Sequence, residues 1–440
     1  MKLRLPHPLL LLLGAVAVAA LSTWVLPAGE YDRRDDPATG RRVVVPGTYH
    51  AVERGPVGPF AAVVAVPRGI VDAAEVVAVV LLVGGAWVVV DRIGTLARLV
   101  AVLVGRFRGR GLLAIPVLSV SFASMGALEN MQEEIIPLVP ALLLLGRGLG
   151  VDAVTVVAMS AGAAMIGSAF GPTNPFQAGI AMKLAELPAA SGLALRSVML
   201  LAAVALWVAW TTRHARRTRV EPAHDPAAAP RAAARDLLIL AVMLAPMGAY
   251  VYGALAWGWG FNELSAAFVI GGVVAGLLGG LDLGGTLAAF LAGMQELLPA
   301  AVMVGVARSI TVVLADGRVI DTILHGLATP LAGAAPMVAA LLMIPFHALV
   351  HVPVSSVSGH AVLTMPVLVP LSDLLGISRQ VTVLAYQTGA GLTELLTPTN
   401  GSLMAILLAA GVPYGRWARF AVGGALLALA VGVAGILLSL

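Results

Sequence analysis

The sequence has no cysteine and very few charged residues. Without cysteine, disulfides, thiolate metal sites and cysteine nucleophiles are all excluded. Charged residues make up 11% of the 440 positions, which is less than half of the roughly 25% found in soluble domains. By contrast, 59% of the residues are hydrophobic and the mean hydropathy is +0.96. This composition excludes a soluble enzyme and a disordered chain, and it predicts an all-α polytopic membrane protein in contact with the lipid bilayer.

The net charge of +4 does not indicate a nucleic-acid partner. The arginines lie in loops beside apolar runs, and this distribution orients membrane helices. If the N-terminus is placed inside, the inner segments carry more arginine and lysine than the outer segments. The sequence therefore predicts a multi-pass protein of the bacterial inner membrane, with a cytoplasmic N-terminus and a periplasmic C-terminus.

Apolar runs of about 20 residues predict membrane spans, because that length crosses a bilayer. The first run is interpreted as a retained helix, since it exceeds the roughly 7–15 apolar residues of a cleaved signal peptide. A polar loop with a short strand near 43–45 is predicted over 27–68, and an amphipathic surface helix over 92–110. The predicted spans lie at about 7–26, 70–90, 151–187, 193–212, 236–258, 262–281, 297–315, 377–411 and 416–438.

Two further apolar segments, at about 111–147 and 336–374, are interrupted midway by polar residues. Each is too short for two full spans, so each is predicted to be a re-entrant hairpin. The spans at about 151–187 and 377–411 contain proline and are predicted to be broken helices. A cytoplasmic linker rich in alanine, proline and arginine, at 213–235, separates the two halves of the chain, 1–212 and 236–440.

The two halves carry an internal repeat. The triplet Pro-Thr-Asn at 172–174 recurs at 398–400, an offset of 226, and ten of the 35 positions from 140 to 174 are identical at that offset. In the predicted topology the first hairpin opens from the inside and the second from the outside. The repeats are therefore predicted to be inverted, as in many secondary transporters.

Each Pro-Thr-Asn triplet is predicted to break a helix at membrane depth, because proline lacks an amide donor and clashes with the preceding turn. Exposed backbone groups are tolerated there only beside a cavity or inside protein. The amino ends of half-helices attract anions, and their carboxyl ends suit Na⁺. Thr173, Asn174, Thr399 and Asn400 are thus candidate substrate ligands, with Na⁺ as a possible coupling ion and no other cofactor. The alternative is a pair of structural kinks.

The hairpin tips supply the other candidate substrate ligands. Small hydroxyl residues and glycine permit close backbone approach to a ligand, and carboxylates inside an apolar segment are costly unless they are paired or functional. Alternatively, the two glutamates face an aqueous vestibule or cap the second hairpin arm. For His360, the histidine of the second tip, three roles stay open: contact with an anion, titration near neutral pH, or packing of the tip. These candidates are Glu133, Glu134, Ser356, Ser358, Gly359 and His360.

Polar residues near the breaks are candidates for cation coupling. Glu394, four residues before Pro398, is interpreted as a proton site, a Na⁺ ligand, a partner for a cationic substrate or a hydrogen-bond acceptor for loose backbone. The full set of coupling candidates is Ser168, Asn174, Gln387, Thr388, Glu394 and Asn400. Of these, Ser168, Gln387 and Thr388 are also expected to line the cavity.

Two other groups of polar residues are predicted to be structural. Arg308 lies inside a predicted span and is expected to pair with Asp316 or Glu296, the alternative being contact with a substrate carboxylate. His347 and His351 have the spacing of two ligands on one helix face, but no acidic residue accompanies them locally. No transition-metal site is therefore predicted.

Several stretches resemble the YfcC family, which belongs with the anaerobic C4-dicarboxylate carriers in the ion-transporter superfamily. They are MQEEIIP at 131–137, NPFQAGIA at 174–181, SGHAVLTMP at 358–366, GISRQ at 376–380 and GVPY at 411–414. This resemblance implies an elevator-type secondary transporter, usually a homodimer, with a scaffold domain and a transport domain built from the hairpins and broken helices. It also implies a substrate among dicarboxylates, short-chain carboxylates or basic amino acids.

The chain departs from that family pattern at two places. The family commonly has an acidic residue where this chain has Ala390 and asparagine where it has Glu394. Its second tip usually reads Ser-Gly-Ser-Gly-Gln, where this chain has Val357 in place of the first glycine and His360 in place of the glutamine. Both departures weaken a direct transfer of substrate identity.

The sequence as a whole predicts a Na⁺- or H⁺-coupled secondary transporter of a small carboxylate-bearing metabolite, either an organic anion or an amino acid. The nearest alternative is a basic amino-acid exchanger of the arginine/ornithine type, which is favoured if Glu133, Glu134 or Glu394 faces the cavity. An intramembrane enzyme would need a nucleophile–base pair or a metal cluster, and a channel would need a continuous pore. Neither is indicated.

Overall fold

The computed structural model describes residues 8–37, 41–106, 111–172, 174–188, 191–221, 233–257 and 259–440. Within these ranges the chain is mostly helical. The first half contains α1 (Pro8–Val25), the strands β1 (Gly29–Glu30), β2 (Arg33–Asp36), β3 (Arg41–Val44) and β4 (His50–Ala51), and the helices α2 (Pro59–Asp72), α3 (Ala74–Arg92), α4 (Thr95–Arg106), α5 (Ala114–Glu129), α6 (Val139–Leu149), α7 (Ala153–Val157), α8 (Ala163–Phe170), α9 (Ile180–Leu184) and α10 (Leu193–Arg217).

The second half is described in the same way. Its helices are α11 (Ala234–Trp257), α12 (Phe261–Leu278), α13 (Leu283–Asp316), α14 (Ile320–Ala328), α15 (Pro336–His351), α16 (Val357–Leu374), α17 (Arg379–Thr393), α18 (Gly401–Ala409) and α19 (Tyr414–Leu437).

Eight helical segments in the described ranges are long and apolar enough to cross a membrane, by length and composition. Outward-facing helices such as α10 expose apolar side chains, among them Val198 and Leu201, as expected where lipid surrounds the protein. The chain is therefore a multi-pass membrane protein. Two of the eight segments, Gly111–Leu128 and Val357–Leu374, are arms of the predicted hairpins, and their re-entrant path stays a prediction.

The broken helices lie at the centre of the fold. All eight residues of α8 are buried, and so is every residue of α17 from Val381 to Leu392. A helix that is apolar and buried all round packs against protein on every side. Here α8 packs against α5 and α10, while α17 packs against α15, α16 and α19. The breaks that follow these two helices are therefore held inside protein.

The helix boundaries in the two halves correspond at the 226-residue offset. Gly150 and Gly376 both have left-handed backbone, with φ of +71° and +69°, which glycine adopts without steric cost. Two residues later, Asp152 accepts a hydrogen bond from the Thr155 amide to cap α7, and Ser378 accepts one from the Val381 amide to cap α17. The opposite orientation of the two halves in the membrane stays a prediction.

Three predicted boundaries are wrong. Residues 59–68, predicted as loop, are helical, because Pro59 starts α2 at the helix position where its missing amide costs nothing. The predicted span at 70–90 is accordingly divided between α2 and α3 at Ala73. The predicted span at 297–315 is the second half of α13, whose 34 residues begin after Asp282 caps the helix and continue through Pro299.

Other predicted segments agree more closely. A two-helix arrangement with a polar turn occupies each predicted hairpin, α4 occupies much of the predicted surface helix, and β3 lies at the predicted strand. Residues 222–232, the middle of the predicted linker, lie outside the described residues. The loop after α1 packs on α14, where Asp321 accepts hydrogen bonds from the Tyr31 amide (2.9 Å) and the Arg33 guanidinium (2.8 Å).

The contact between α5 and α8 depends on two glycines. A Cβ atom at Gly167 would lie 1.9 Å from the Ala123 carbonyl oxygen, and one at Gly126 would lie 2.0 Å from the Ala164 carbonyl oxygen. Small residues allow this close approach of two membrane helices. Because α5 leads to the first hairpin tip and α8 to the first break, their contact sets the positions of both.

We expect Gly167→Ala to destabilise the protein by about 1–3 kcal/mol, the usual cost of overpacking a well-packed interior. Thermal denaturation in detergent, followed by size-exclusion chromatography of the surviving protein, measures the effect as a lowered midpoint. Gly248→Ala on α11 is the matched control, since nothing lies within 4 Å of its Cβ position. A midpoint for Gly167→Ala equal to that of the control would contradict the close packing.

Candidate substrate cavity

A cavity of about 340 Å³ lies where both hairpin tips and the second helix break converge. Its size falls within the range typical of small-molecule sites. Apart from Tyr250 of α11, the polar residues that line it come from α2, α13, both tips, the end of α17 and the start of α18. They are Asp72, Asn130, Gln132, Glu133, Glu134, Arg308, Thr311, Ser355, Ser356, Ser358, Glu394, Asn400 and Ser402.

The first tip brings two carboxylates to this cavity. The chain leaves α5 at Asn130, whose backbone is left-handed with φ of +56°, and turns into a 3-10 segment, Glu133–Leu138. Glu133 Oε1 accepts a hydrogen bond from the Ser402 hydroxyl at 2.9 Å, and Glu134 Oε2 accepts one from the backbone amide of Gln132 at 3.1 Å. Hydrogen bonds therefore hold both carboxylates in place while they line the cavity.

At the first break, both polar atoms of the Asn174 side chain form hydrogen bonds to protein groups. Its Oδ1 accepts hydrogen bonds from the Phe176 and Gln177 amides, both at 3.0 Å. Its Nδ2 donates to the Gly126 carbonyl (3.1 Å) and to the Ser168 hydroxyl (3.0 Å). The Asn174 side chain is thus a helix cap that ties the break to α5. Thr173 lies outside the described residues.

Ser168 lies next to Asn174 at the first break. Its hydroxyl donates a hydrogen bond to Asn130 Oδ1, and Asn174 Nδ2 donates to the same oxygen at 3.2 Å. Ser168 and Asn174 are both buried and do not line the cavity, whereas Asn130 does. These two coupling candidates therefore contact a residue that lines the cavity but do not line it themselves.

The second break is capped in the same way but stands closer to the cavity. Asn400 Oδ1 accepts a hydrogen bond from the Leu403 amide at 3.1 Å, and its Nδ2 donates to the Glu394 carbonyl at 3.3 Å. The Thr399 hydroxyl donates to the Val352 carbonyl at 2.6 Å. Asn400 lines the cavity, and Thr399 joins the break to the second hairpin.

The second tip presents serines and the amino end of α16. Ser356 caps α16 by accepting a hydrogen bond from the Gly359 amide at 3.4 Å, and both Ser356 and Ser358 line the cavity. His360 does not reach it, because its ring is fully buried among other side chains of α15 and α17. The tip therefore offers hydroxyls and a positive helix end to a ligand.

Gln387 and Thr388, predicted to line the cavity, lie elsewhere. The Gln387 side chain accepts a hydrogen bond from Arg196 on α10 and donates one to the Gly171 carbonyl at 3.1 Å. Thr388 packs directly against Gly432 of α19. A Cβ atom built on Gly432 would lie 2.2 Å from the Thr388 methyl group. Both residues occupy the face of α17 turned toward α10 and α19, so the predicted cavity-lining role is wrong for this cavity.

The prediction for Arg308 is also wrong. Its guanidinium pairs with Asp72 at the end of α2, and both side chains line the cavity. Asp316 pairs with Arg68 instead, with distances of 2.5 Å and 3.1 Å. Asp316 is eight residues along the same helix, about 12 Å away at the α-helical rise, whereas α2 packs directly against α13.

The cavity wall carries an excess of carboxylates. Among the described residues that line it, Asp72, Glu133, Glu134 and Glu394 are acidic and Arg308 is basic. By formal charge the lining is therefore strongly negative, and this charge favours a ligand that carries a cationic group. The carboxylate of Glu394 is central, since it also accepts a hydrogen bond from the Gln132 side chain of the first tip.

Some lining residues were not predicted as site residues. Asn130 and Gln132 occupy the positions of Ser356 and Ser358 at the 226-residue offset, so the repeat carried a signal for both. Asp72 and Ser402 carried no such signal. They line the cavity only because α2 and α18 pack against α13.

A polar cavity between two hairpin tips and a helix break, inside a multi-pass protein, defines the class as a membrane transporter. The chain belongs to the C4-dicarboxylate anaerobic carrier family, DcuC, which it matches over residues 5–440. The resemblance identified from the sequence motifs is thereby confirmed.

Two curated relatives cover nearly the whole chain. "Putative basic amino acid antiporter YfcC" of Escherichia coli (strain K12) is 30% identical over 477 aligned residues, with 97% of this chain and 94% of that protein covered. An uncharacterized protein of Haemophilus influenzae (strain ATCC 51907 / DSM 11121 / KW20 / Rd) is 25% identical, with 94% and 93% covered.

Two solved structures align over most of the chain at low identity. The YdaH transporter of Alcanivorax borkumensis is 19% identical, with 98% of both chains covered and a TM-score of 0.43. MtrF of Neisseria gonorrhoeae is 16% identical, with 98% of this chain and 94% of that chain covered and a TM-score of 0.42.

We expect Asn174→Ala to destabilise the protein more than Asn174→Ser, by about 1 kcal/mol, because serine retains an oxygen that caps the helix. Both variants lose the amide donor, so the difference between them isolates the cap. Thermal denaturation of the two purified variants in one detergent measures that difference. Equal midpoints would contradict the capping role of Asn174.

Proposed function

We propose that this protein is a secondary active transporter of cationic amino acids, of the arginine and ornithine type, in the bacterial inner membrane. The observation that carries the proposal is the excess of carboxylates among the described residues that line the cavity. The sequence alone favoured this exchanger only if Glu133, Glu134 or Glu394 faced the cavity, and all three do. The printed name of one relative, "Putative basic amino acid antiporter YfcC", supports exchange as the mode of transport.

The charge of the lining discriminates between substrate classes. Two unit charges 4 Å apart interact by about 4 kcal/mol at the effective dielectric constant typical of partly solvated protein sites. A dicarboxylate in this cavity would meet several like charges, whereas a guanidinium or ammonium group would meet opposite charges. Arg308 does not reverse this preference, because it is paired with Asp72.

An amino acid also needs a partner for its carboxylate. The amino end of α16, at Ser356 and Ser358, lies on the same cavity as the acidic residues, and the partial positive charge of a helix amino end attracts carboxylates. We therefore place the substrate carboxylate at the second tip, next to Arg308, and its cationic side chain toward Glu133 and Glu394. Ornithine and arginine carry both charges and fit this division.

The second candidate is a transporter of an organic anion. The observation that favours it is the presence of Arg308 and the α16 amino end at the cavity, since either can bind a carboxylate. This candidate also agrees with the name of the family. It requires that several lining carboxylates be protonated or paired when the substrate binds.

We propose a transport cycle based on the internal repeat of the two halves. The two tips close the cavity from opposite sides, the halves have inverted topology, and a transport domain of hairpins and broken helices moves against a scaffold in an elevator-type homodimer. The matching caps at 152 and 378 and at 174 and 400 support a common origin of the halves. The N-terminus is placed in the cytoplasm and the C-terminus in the periplasm.

Na⁺ coupling at the two breaks finds limited support in the geometry. The side-chain oxygens of Asn174 and Asn400 both accept hydrogen bonds from helix amides. A Na⁺ ion at either break would therefore depend mainly on backbone carbonyls. Both oxygens of Glu394 also face protein groups, Gln132 and His351, and this favours a proton-carrying role for Glu394 over Na⁺ ligation.

Competition in proteoliposomes tests the proposed substrate. In vesicles loaded with unlabelled arginine, we expect uptake of radiolabelled arginine that excess ornithine or lysine abolishes and that excess succinate or malate leaves unchanged. Inhibition by the dicarboxylates, with no uptake of arginine, would overturn the proposal in favour of the organic-anion candidate.

We expect Glu133→Gln to raise the KM for arginine about tenfold, which corresponds to about 1.4 kcal/mol of lost interaction. Glutamine keeps an oxygen for the Ser402 hydrogen bond, so the change mainly removes one negative charge. Glu53→Gln is the matched control, since Glu53 is exposed in the loop after β4. A KM that is unchanged in Glu133→Gln would remove Glu133 from substrate binding.

A further inference from the structure

Three histidine rings meet behind the second hairpin tip. His347 and His351 lie one turn apart on α15, and His360 lies in the first turn of α16; all three side chains are fully buried. His347 Nδ1 is 2.8 Å from His360 Nε2, and the ring centroids of His351 and His360 are 5.5 Å apart. The transport function as proposed above does not use this histidine cluster.

The cluster contacts the substrate cavity through one carboxylate. His351 Nε2 lies 3.6 Å from Glu394 Oε1, and Glu394 itself lines the cavity. The other oxygen of Glu394 accepts a hydrogen bond from Gln132 on the first tip. Glu394 thus connects the substrate cavity, the first tip and the histidine cluster.

The rings carry polar atoms that the fold does not satisfy. Within the described part of the chain, His347 Nε2, both nitrogens of His351 and His360 Nδ1 have no hydrogen-bond partner. A buried polar atom without a partner destabilises the folded protein, so packing alone does not account for these rings. Imidazole nitrogens can accept a proton, and no three acidic or histidine side chains among the described residues converge as metal ligands. The fitting ligand for these atoms is a proton.

Few other titratable groups face the cluster. The Tyr386 ring on α17 lies 5.3 Å from His347 and 5.5 Å from His360, and its hydroxyl donates a hydrogen bond to the Val357 carbonyl at 2.7 Å. Glu133 on the first tip lines the same cavity as Glu394. On the neighbouring elements, α8 has no titratable residue, and Tyr414 of α19 donates its hydroxyl to the Leu396 carbonyl.

We infer that Glu394 and His351, supported by His360 and His347, form a proton-binding site that exchanges a proton for the cationic substrate. This inference rests on the proposed function. A proton from the cavity binds to the Glu394 carboxylate or to His351 Nε2, and either form removes one negative charge from the site. Proton and substrate then bind in competition, and each weakens the affinity of the other by the same factor. The lone pairs of the neighbouring imidazoles stabilise the protonated state.

The first measurement is the affinity of the purified full-length protein for arginine between about pH 5 and pH 8, the range in which histidine titrates. For the wild type we expect the affinity for arginine to decrease as the pH is lowered. The decrease approaches about tenfold per pH unit, as linkage to one proton requires. In His351→Gln we expect the pH profile to flatten or to move to lower pH, because Glu394 loses the imidazole that shares its proton, with arginine binding retained at high pH. His360→Gln serves as the second variant if His351→Gln does not fold. His325→Gln, an exposed histidine on α14, is the control and keeps the wild-type profile.

The second measurement needs no substrate. Infrared difference spectra between high and low pH report protonation of carboxylates and imidazoles directly, and we expect a carboxyl band in the wild type that Glu394→Gln removes. Arginine binding with a flat pH profile in the wild type, or pH profiles of His351→Gln and His360→Gln identical to the wild type, would overturn the inference and leave the proposed function standing. Failure to bind arginine at every pH would overturn the proposed function, and the infrared bands alone would then decide the proton site.

Discussion

Inside this protein two helices end and two new helical segments begin, and the free backbone amides at the amino ends of the new segments must find partners there. Asparagine meets that requirement twice, at Asn174 and at Asn400, each of which caps the following helix with its side-chain oxygen. Burial of α8 and α17 keeps both breaks away from lipid, where such groups would be too costly. The position of the cavity follows from this constraint, because the tips of the two hairpins pack at the breaks.

The charge of its lining is the most distinctive property of the cavity. Carboxylates from α2, the first tip and the end of α17 converge on a space that also receives the amino end of α16. A ligand with a carboxylate at one end and a cation at the other satisfies both. The same Glu394 that lines this space also contacts the buried His351, so in the proposed mechanism the substrate and the proton act on one side chain.

The features that the sequence predicted well are those that one local rule specifies. Pro-Thr-Asn marks both breaks, and polar residues within apolar segments mark both tips. The features that it predicted wrongly depend on packing between distant elements. Arg308 pairs with Asp72 because α2 lies against α13, and Gln387 faces Arg196 because α17 turns that side toward α10. Helix α13 is longer than predicted since Pro299 does not end it. No spacing along the chain encodes these contacts.

The most direct test of the account is a structure of the protein determined with arginine bound. The account predicts ligand density in the cavity between the two tips, with the guanidinium group within hydrogen-bond distance of Glu133 or Glu394 and the carboxylate at the amino end of α16. Density outside this cavity, or a ligand carboxylate directed at Glu133 and Glu394, would contradict it.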